Sequence, residues 1–508
     1  MKLSAEAMTQ PGSQSSESLR PTLGWAGLLV LGVANILGAG VFVMTGTAAA
    51  SFAGPAVTIS FLLAGFACLL VGLCYAELAS RLPESGSSYT YCRRTFGALP
   101  GWVLGWLLFL EYSIAASMLG LGFGGYLVSF LGGFGIHVPA SVSTSLVTAT
   151  LVDGVGFQFG IGNSVNLVAA AACLGAGIIL ALGISRSALV NSILVVIKVL
   201  VLVGFVLAGA HAVDPGNWQP YIPANEGGFT YGWEGIARAA SLLFFAFLGF
   251  ETVSTAAAET RNPHRDVPVG ILGSLSICAL LYVMVATVLT GLVPFRELGV
   301  ADPIALAVDR IGWPAIATLI KVGALAGLGS VLLANAFGHS RVCYAMSNDG
   351  FLPKLFSHVH PTRNSLWKAN LTLASLAGLG AALLPISVLA DMISLGVALT
   401  FAMVAIALIE LRSKEPEKAG RFQVPLGGVW INGIWFGTVP VLAILVSFLM
   451  TLPVLLDLVG QIRHGELLPA CLLLTYMAIG LAIYLFYGKP RSRRLQTAAT
   501  AELSGSLH

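Results

Sequence analysis

Glycine recurs at Gly38, Gly40 and Gly46 in and around the stretch NILGAGVFVMTG, residues 35–46, inside a long apolar run. Glycine weakens a helix interior because it loses more backbone freedom on folding than any other residue. A second run, FFAFLGFETVST at 244–255, is interrupted in the same way by Gly249 and Glu251. The chemistry open to such a break is that of the main chain. An unwound segment frees N–H and C=O groups that a continuous helix consumes, and hydrocarbon tolerates them only where they line a cavity or meet a ligand. The N-terminus of the half-helix attracts a carboxylate, and the released carbonyls attract an ammonium. A zwitterion matches both. The plainer use of glycine is close helix packing. That use accounts better for Gly120, Gly122, Gly124 and Gly125. The paired position of the two breaks argues for a site at Gly38 and Gly40.

Ionisable residues inside apolar runs are the second signal. Lys198 sits in the middle of LVVIKVLVLVGFVL. A buried ammonium costs several kcal/mol unless it is paired, neutral or snorkelling, and its distance from the helix start makes snorkelling difficult. It reads as a proton-sensing residue ahead of a structural hydrogen bond. Glu111, in LLFLEYSIAAS, reads first as a hydrogen-bond anchor, then as a second titrating group or a partner of a cationic substrate. Glu251 beside the second break is a substrate contact or a structural cap. Arg238 and Lys321 lie nearer outer helix ends, where snorkelling explains them. Glu77, Asp391 and Glu410 also lie near helix ends and carry no assignment. In KVGALAGLGSVLLANAFGHSRV, Leu328, Ser330, Val331 and Asn335 face the site or Lys198, or simply pack; His339 reads as a core histidine.

These residues must be carried by membrane helices. The chain has 508 residues, 56% hydrophobic and 10% charged, with a mean hydropathy of +0.87. That composition excludes a water-soluble protein. The net charge of +3 is spread over loops and points to no nucleic acid. Seven cysteines are scattered without a CxxC pair and read as packing residues, with no disulfide or metal expected. No HExxH, GxSxG or His–Asp cluster appears, so no catalytic residue, metal or cofactor is expected. No cleavable signal peptide is expected, because the first apolar stretch is long and leads into further spans.

Apolar stretches of about 20 residues span a bilayer as helices. Twelve are expected, near 24–48, 55–80, 97–131, 166–184, 188–210, 235–257, 267–293, 314–345, 368–385, 388–411, 435–457 and 467–487, with the third and eighth long enough to tilt or to leave the bilayer. With a cytoplasmic N-terminus the outer loops hold only Arg296, Arg310 and Arg463, and all other Lys and Arg residues outside the spans fall inside. The positive-inside rule then places both termini in the cytoplasm of a multi-pass inner-membrane protein. Two longer outer loops, 132–165 and 211–234, contain no Lys or Arg and read as a solvated cap. Residues 1–22 read as a flexible cytoplasmic N-terminus, 23–488 as one transmembrane domain and 489–508 as a cytoplasmic tail. The two breaks fall in the first and sixth spans. Spans one to five (about 24–211) and six to ten (about 235–411) then form two repeats. An odd number of spans per repeat inverts the second copy, and paired weak points in inverted halves point to a transporter site. The fold class is an all-α integral membrane protein: twelve transmembrane helices, a five-plus-five inverted repeat and two C-terminal helices.

Three stretches carry a family resemblance: ILGAGVFVMTG at 36–46, FFAFLGFETVSTAAAETRNPHRDVPVGI at 244–271 and RVCYAMSNDGFLPKLFSHVHP at 341–361. Together they resemble the amino acid–polyamine–organocation superfamily, near its cationic amino acid transporter branch. The resemblance implies the five-plus-five fold and transport of amino acids by alternating access. It implies that the amides of Ala39 and Gly40 receive the substrate carboxylate. The carbonyls of Ile36, Phe245, Ala246 and Leu248 receive its ammonium, and Phe245 and Phe250 act as gates or pocket walls. The family often has Asp after the GF pair, where this chain has Glu251. In proton-dependent relatives a lysine at the place of Lys198 supplies the charge that sodium supplies elsewhere, between the first, fifth and eighth helices; Ser330 is a candidate neighbour. The expected partners are an amino acid, protons and the lipid bilayer. No acidic residue clearly marks a pocket for a distal cation, which favours neutral or broad specificity over Arg and Lys. An amino acid exchanger, a channel and a non-transporting sensor are the alternatives.

Overall fold

The computed structural model describes residues 23–82, 88–152, 156–183, 188–363, 365–416, 422–495 and 497. The expected flexible N-terminus, most of the C-terminal tail and the charges Lys2, Arg20, Arg186, Lys418 and Arg421 lie outside them. The twelve longest α-helices among the described residues are α1 (Trp25–Ile36), α2 (Val57–Arg81), α3 (Ala98–Gly132), α4 (Leu167–Ala181), α5 (Ala188–Ala210), α6 (Gly232–Phe244), α7 (Pro263–Leu292), α8 (Pro314–Asn348), α9 (Trp367–Leu383), α10 (Ile386–Lys414), α11 (Thr438–Arg463) and α12 (Leu468–Ile483). Proline at the first helical position opens α7 and α8, where its missing N–H costs nothing. The Asn166 side chain caps α4 by accepting from Ala169 N at 2.9 Å.

Nine helical runs among the described residues are long and apolar enough to cross a membrane. This differs from the expected twelve for a physical reason. The first two spans form one run, Trp25–Arg81, and α4 and α9 have only 15 and 17 residues, short of the ~20 that cross a hydrocarbon core of about 30 Å. Helices α3 and α8 have 35 residues each, roughly 52 Å at 1.5 Å per residue, longer than a hydrocarbon core of about 30 Å.

The molecule is mostly, but not purely, helical. Strands β1 (Val147–Val152) and β2 (Gly156–Ile161) pair antiparallel in the long connection between α3 and α4. This loop is more than a solvated cap: β2 places Phe157 against Phe52, ring centroids 6.1 Å apart. Strands β3 (Gly428–Ile431) and β4 (Ile434–Gly437) form a second hairpin between α10 and α11. Its turn residues, Asn432 and Gly433, have φ of 52° and 81°, the positive values that a two-residue hairpin turn needs.

One expectation about charge is corrected. Arg238 does not snorkel. It is fully buried, with its Nη2 on Asp391 of α10, its Nε 3.1 Å from Asp457 of α11 and its guanidinium over the Phe52 ring. Glu77 and Asp391, left unassigned from the sequence, are structural ion partners. Glu77 accepts from Arg81 at 2.8 Å and from Val424 N at 2.7 Å. Lys321 reaches Asp309 at 2.8 Å, in the short helix Pro303–Ile311 that precedes α8. Six of the seven cysteines are buried; Cys471 is exposed.

Candidate functional site

Both glycine-bearing runs are broken helices, and the two breaks face each other. Helix α1 stops at Ile36, and a π-helical segment, Gly40–Met44, resumes after Leu37–Ala39. Helix α6 ends at Phe244, passes through a short 3-10 turn at Phe245–Phe247, opens at Leu248–Phe250 and resumes as Glu251–Thr255. Gly249 has φ +118°, a conformation that L side chains rarely adopt. A Cβ there would lie 2.6 Å from the Asn35 carbonyl carbon. A Cβ at Gly40 would lie 2.6 Å from Ala246 Cβ and 2.8 Å from its Cα and O. Glycine is therefore what lets the two main chains touch.

Three side chains tie the breaks together. Asn35 Nδ2 donates to Leu31 O at 2.9 Å and to Thr252 Oγ1 at 3.0 Å, and Thr252 Oγ1 donates to Gly249 O at 2.6 Å. Tyr282 of α7 places its hydroxyl 2.7 Å from Ile36 O and 3.0 Å from Ala246 O. A phenol has one proton to donate, so it cannot satisfy both carbonyls at once. The carbonyl left without the phenol's proton keeps acceptor capacity, which an ammonium with its three donors can fill. Glu251 turns back on its own segment, its Oε2 accepting from Gly249 N at 2.8 Å. Sequence reasoning missed Asn35, Thr252 and Tyr282. Asn35 and Thr252 stand inside the two quoted stretches; Tyr282 has no local signal.

One cavity lies at the junction. Its wall includes Asn35, Ile36, Gly38, Ala39 and Gly40 from the first break and Phe245, Ala246, Leu248, Gly249, Glu251 and Thr252 from the second. Tyr112, Ala115 and Leu119 of α3 and Val331, Ala334, Asn335 and Gly338 of α8 close the other side. Asn335 is held by donation to Tyr112 O at 2.8 Å. This wall is small and apolar apart from Tyr112 and Asn335. Of the residues singled out from sequence, Phe250 does not line the cavity. It is buried between Tyr75 and Phe401, ring centroids 5.3 and 5.4 Å away. Glu111 is buried beside Tyr112 but off the wall, and its Oε2 has no hydrogen-bond partner among the described residues.

Lys198 and Ser330 also lie off the wall. Lys198 is fully buried and donates to Ala34 O at 2.7 Å, on the last turn of α1 before the break. Its stem covers Gly327 of α8, where a Cβ would meet Lys198 Cγ at 2.8 Å. The ammonium thus links α5 to α1 while its aliphatic part packs on α8. Ser330 is buried one turn further along α8, and Leu328 packs towards Gly122 of α3.

Tyr282→Phe is expected to lower unfolding free energy by about 1–2 kcal/mol, the cost of leaving a buried carbonyl without its donor. Thermal melts of the purified variant check this; an unchanged midpoint would show that the two carbonyls do not depend on the phenol.

Residues 23–478 match the amino acid permease family. A branched-chain amino acid permease of Bacillus subtilis is 38% identical over 482 residues, covering 95% of this chain and 96% of its own length. A methylthioribose transporter of the same bacterium is 39% identical over 422 residues, 82% of this chain and 87% of its own. A chloroplastic cationic amino acid transporter of Arabidopsis thaliana is 35% identical over 430 residues, 83% of this chain and 73% of its own.

Proposed function

The chain belongs to the amino acid permease family of the amino acid–polyamine–organocation superfamily, and from that premise we propose that it is a proton-coupled carrier of neutral amino acids working by alternating access. It is a transporter and not an enzyme. The observation that carries the substrate reading is the junction of the two breaks. The residues that carry the amides at the head of the Gly40–Met44 segment and the carbonyls of Ile36 and Ala246 line one cavity. Those are complementary partial charges, supplied without any ionised side chain. The first helical amides have no partner within their own helix and so favour a carboxylate.

The side-chain end of the cavity supports a neutral ligand. Among the described residues the one acid on its wall, Glu251, accepts from Gly249 N. Ala115, Leu119, Val331 and Ala334 offer apolar contact. The relative named for branched-chain amino acids makes leucine, isoleucine and valine the first probes. Counterflow of labelled leucine in liposomes tests the reading: saturable exchange supports a carrier, and single-channel currents or binding without flux would replace it. In this reading the bundle is a twelve-span, five-plus-five inverted repeat, and both termini are cytoplasmic. Cysteine labels at positions 145 and 225 are then accessible from outside the cell, while labels at 355 and 415 need a permeant reagent. The opposite pattern would reverse the orientation.

Lys198 is the proposed coupling residue. When charged it holds α5 to the end of α1 through Ala34 O. Loss of its proton leaves a neutral amine, which weakens that charge-assisted tie and favours whichever face of the carrier depends on it less, as a differential interaction between two states must. Uptake is expected to rise as external pH falls from about 8 to 5 without sodium, because each proton that binds restores the charged tie. Lys198→Ala is expected to flatten this profile. A purely structural lysine would instead lower uptake equally at every pH, and a sodium requirement in the wild type would end the proposal.

A further inference from the structure

The β3–β4 hairpin has one face held at Trp435, beside a half-exposed Trp430, and one bare face. Cross-strand pairs share a face, so the Trp430–Trp435 pair lies on one side and the Val429–Phe436 and Ile431–Ile434 pairs on the other. Trp435 fixes the hairpin. It is 3% exposed, its backbone N–H donates to Ser413 Oγ at 2.8 Å, and the Arg412 guanidinium lies 3.8 Å from its ring centroid. Thr438 N donates to Gly427 O at 3.1 Å and closes the base of the hairpin. The opposite face is wholly apolar and uncovered: Val429 is 63% exposed, Ile431 53%, Ile434 42% and Phe436 39%. Leu426 extends the same exposed apolar surface.

The position of this face identifies what covers it. Strand β4 runs without a spacer into α11 at Thr438. Helix α11 is long and apolar enough to cross a membrane, and its side chains Leu442, Leu445, Phe448 and Leu449 are exposed apolar surface, which on such a helix suits lipid. The hairpin is level with helix ends, because Arg412 at the end of α10 reaches Glu77 near the end of α2 at 3.5 Å. Residues 422–438 contain no charged side chain, unlike an ordinary water-exposed loop. Apolar side chains and tryptophan at the level of helix ends suit the membrane–water boundary.

We propose that the β3–β4 hairpin is an interfacial anchor whose bare face lies in the headgroup–acyl boundary of the bilayer, continuous with the lipid-facing side of α11. Electron paramagnetic resonance on the full chain in phosphatidylcholine–phosphatidylglycerol liposomes tests it. Nitroxide labels go onto Val429→Cys, Ile431→Cys and Phe436→Cys, each in a Cys471→Ser background because Cys471 is the exposed native thiol. Leu445→Cys provides a lipid-facing reference and Lys354→Cys an exposed loop reference. The expected result is that all three hairpin labels are relaxed by oxygen and protected from a nickel chelate, as Leu445→Cys is. Nickel access equal to that of Lys354→Cys would overturn the proposal. Spin–spin broadening that grows with the protein-to-lipid ratio would also overturn it, by showing that a second copy of the chain covers the face.

Discussion

Gly40→Leu is expected to weaken amino acid binding by about 100-fold, roughly 2.7 kcal/mol, while the protein still inserts and folds. The obstacle is the Ala246 backbone and the Cβ fixed to it. A Cβ at position 40 would stand 2.6 Å from Ala246 Cβ and 2.8 Å from Ala246 Cα and O, well inside the ~3.5–4.0 Å at which carbon atoms rest. No rotamer change at Ala246 relieves this. Its segment is also held in place, by Tyr282 at Ala246 O and by the Leu248 N to Phe245 O bond of 2.9 Å. The two breaks must therefore separate, and a misplacement of about 1 Å in groups that position a ligand costs on the order of 100-fold. Gly40→Ala should fall between wild type and Gly40→Leu. Gly120→Ala is the comparator. Its Cβ would meet the Cys173 side chain at 2.5 Å and the Ala169 carbonyl at 3.0 Å on α4, away from the cavity wall. It should lower the melting temperature and leave affinity intact. Calorimetric titration of the purified variants with leucine, isoleucine and valine measures both effects. Affinity in Gly40→Leu equal to wild type would defeat the site assignment.

The backbone part of this site was legible because its signal is local. A glycine that destabilises an apolar helix needs a reason, and two such breaks in corresponding spans supply one another's. The side chains that tie the breaks together left no comparable trace. Asn35 finds Thr252 217 residues away, and Tyr282 finds Ile36 246 residues away. Such pairs have no periodicity to read. Phe250 was carried over from the family resemblance, which does not fix where a ring turns beside an unwound segment; here it packs between Tyr75 and Phe401. The β3–β4 hairpin is a different case. Its signal was present, an Asn-Gly pair in VWINGIWF between alternating residues. Its uniformly apolar flanks blended into the next membrane span, so composition hid the turn chemistry. Charges near helix ends were misread for a related reason. Sequence reports how deep a residue lies along its helix, but not what the neighbouring helices present to it.

Arg238 makes that last point quantitative. Arg238→Met is expected to destabilise the protein by about 3–5 kcal/mol, the range for removing one partner of a buried ionic group. The guanidinium is fully buried and serves two carboxylates, Asp391 on α10 and Asp457 on α11. Without it, two carboxylates with side chains only 10% and 14% exposed lose their counter-charge and face each other. The methionine also gives up the contact of the guanidinium with Phe52 at 4.7 Å, worth about 0.5–2 kcal/mol. Packing loss and charge loss separate in a second variant. Arg238→Met with Asp391→Leu and Asp457→Leu removes all three charges together, and replacing a complete buried ionic cluster by apolar residues is often neutral or stabilising. The triple variant should therefore recover most of the stability lost in the single one. Its transport is expected not to recover. Arg238 is the tie between α10, α11 and the half-helix α6 that leads into the second break, and apolar contacts slide where a forked ion pair holds one geometry. Unfolding curves in detergent and leucine counterflow in liposomes give the two readings. A single variant within about 0.5 kcal/mol of wild type, the usual scatter for an unimportant surface site, would remove the triad from the energetics of the fold. A triple variant that regains both stability and transport would show that the charges hold α6 in place without steering its motion.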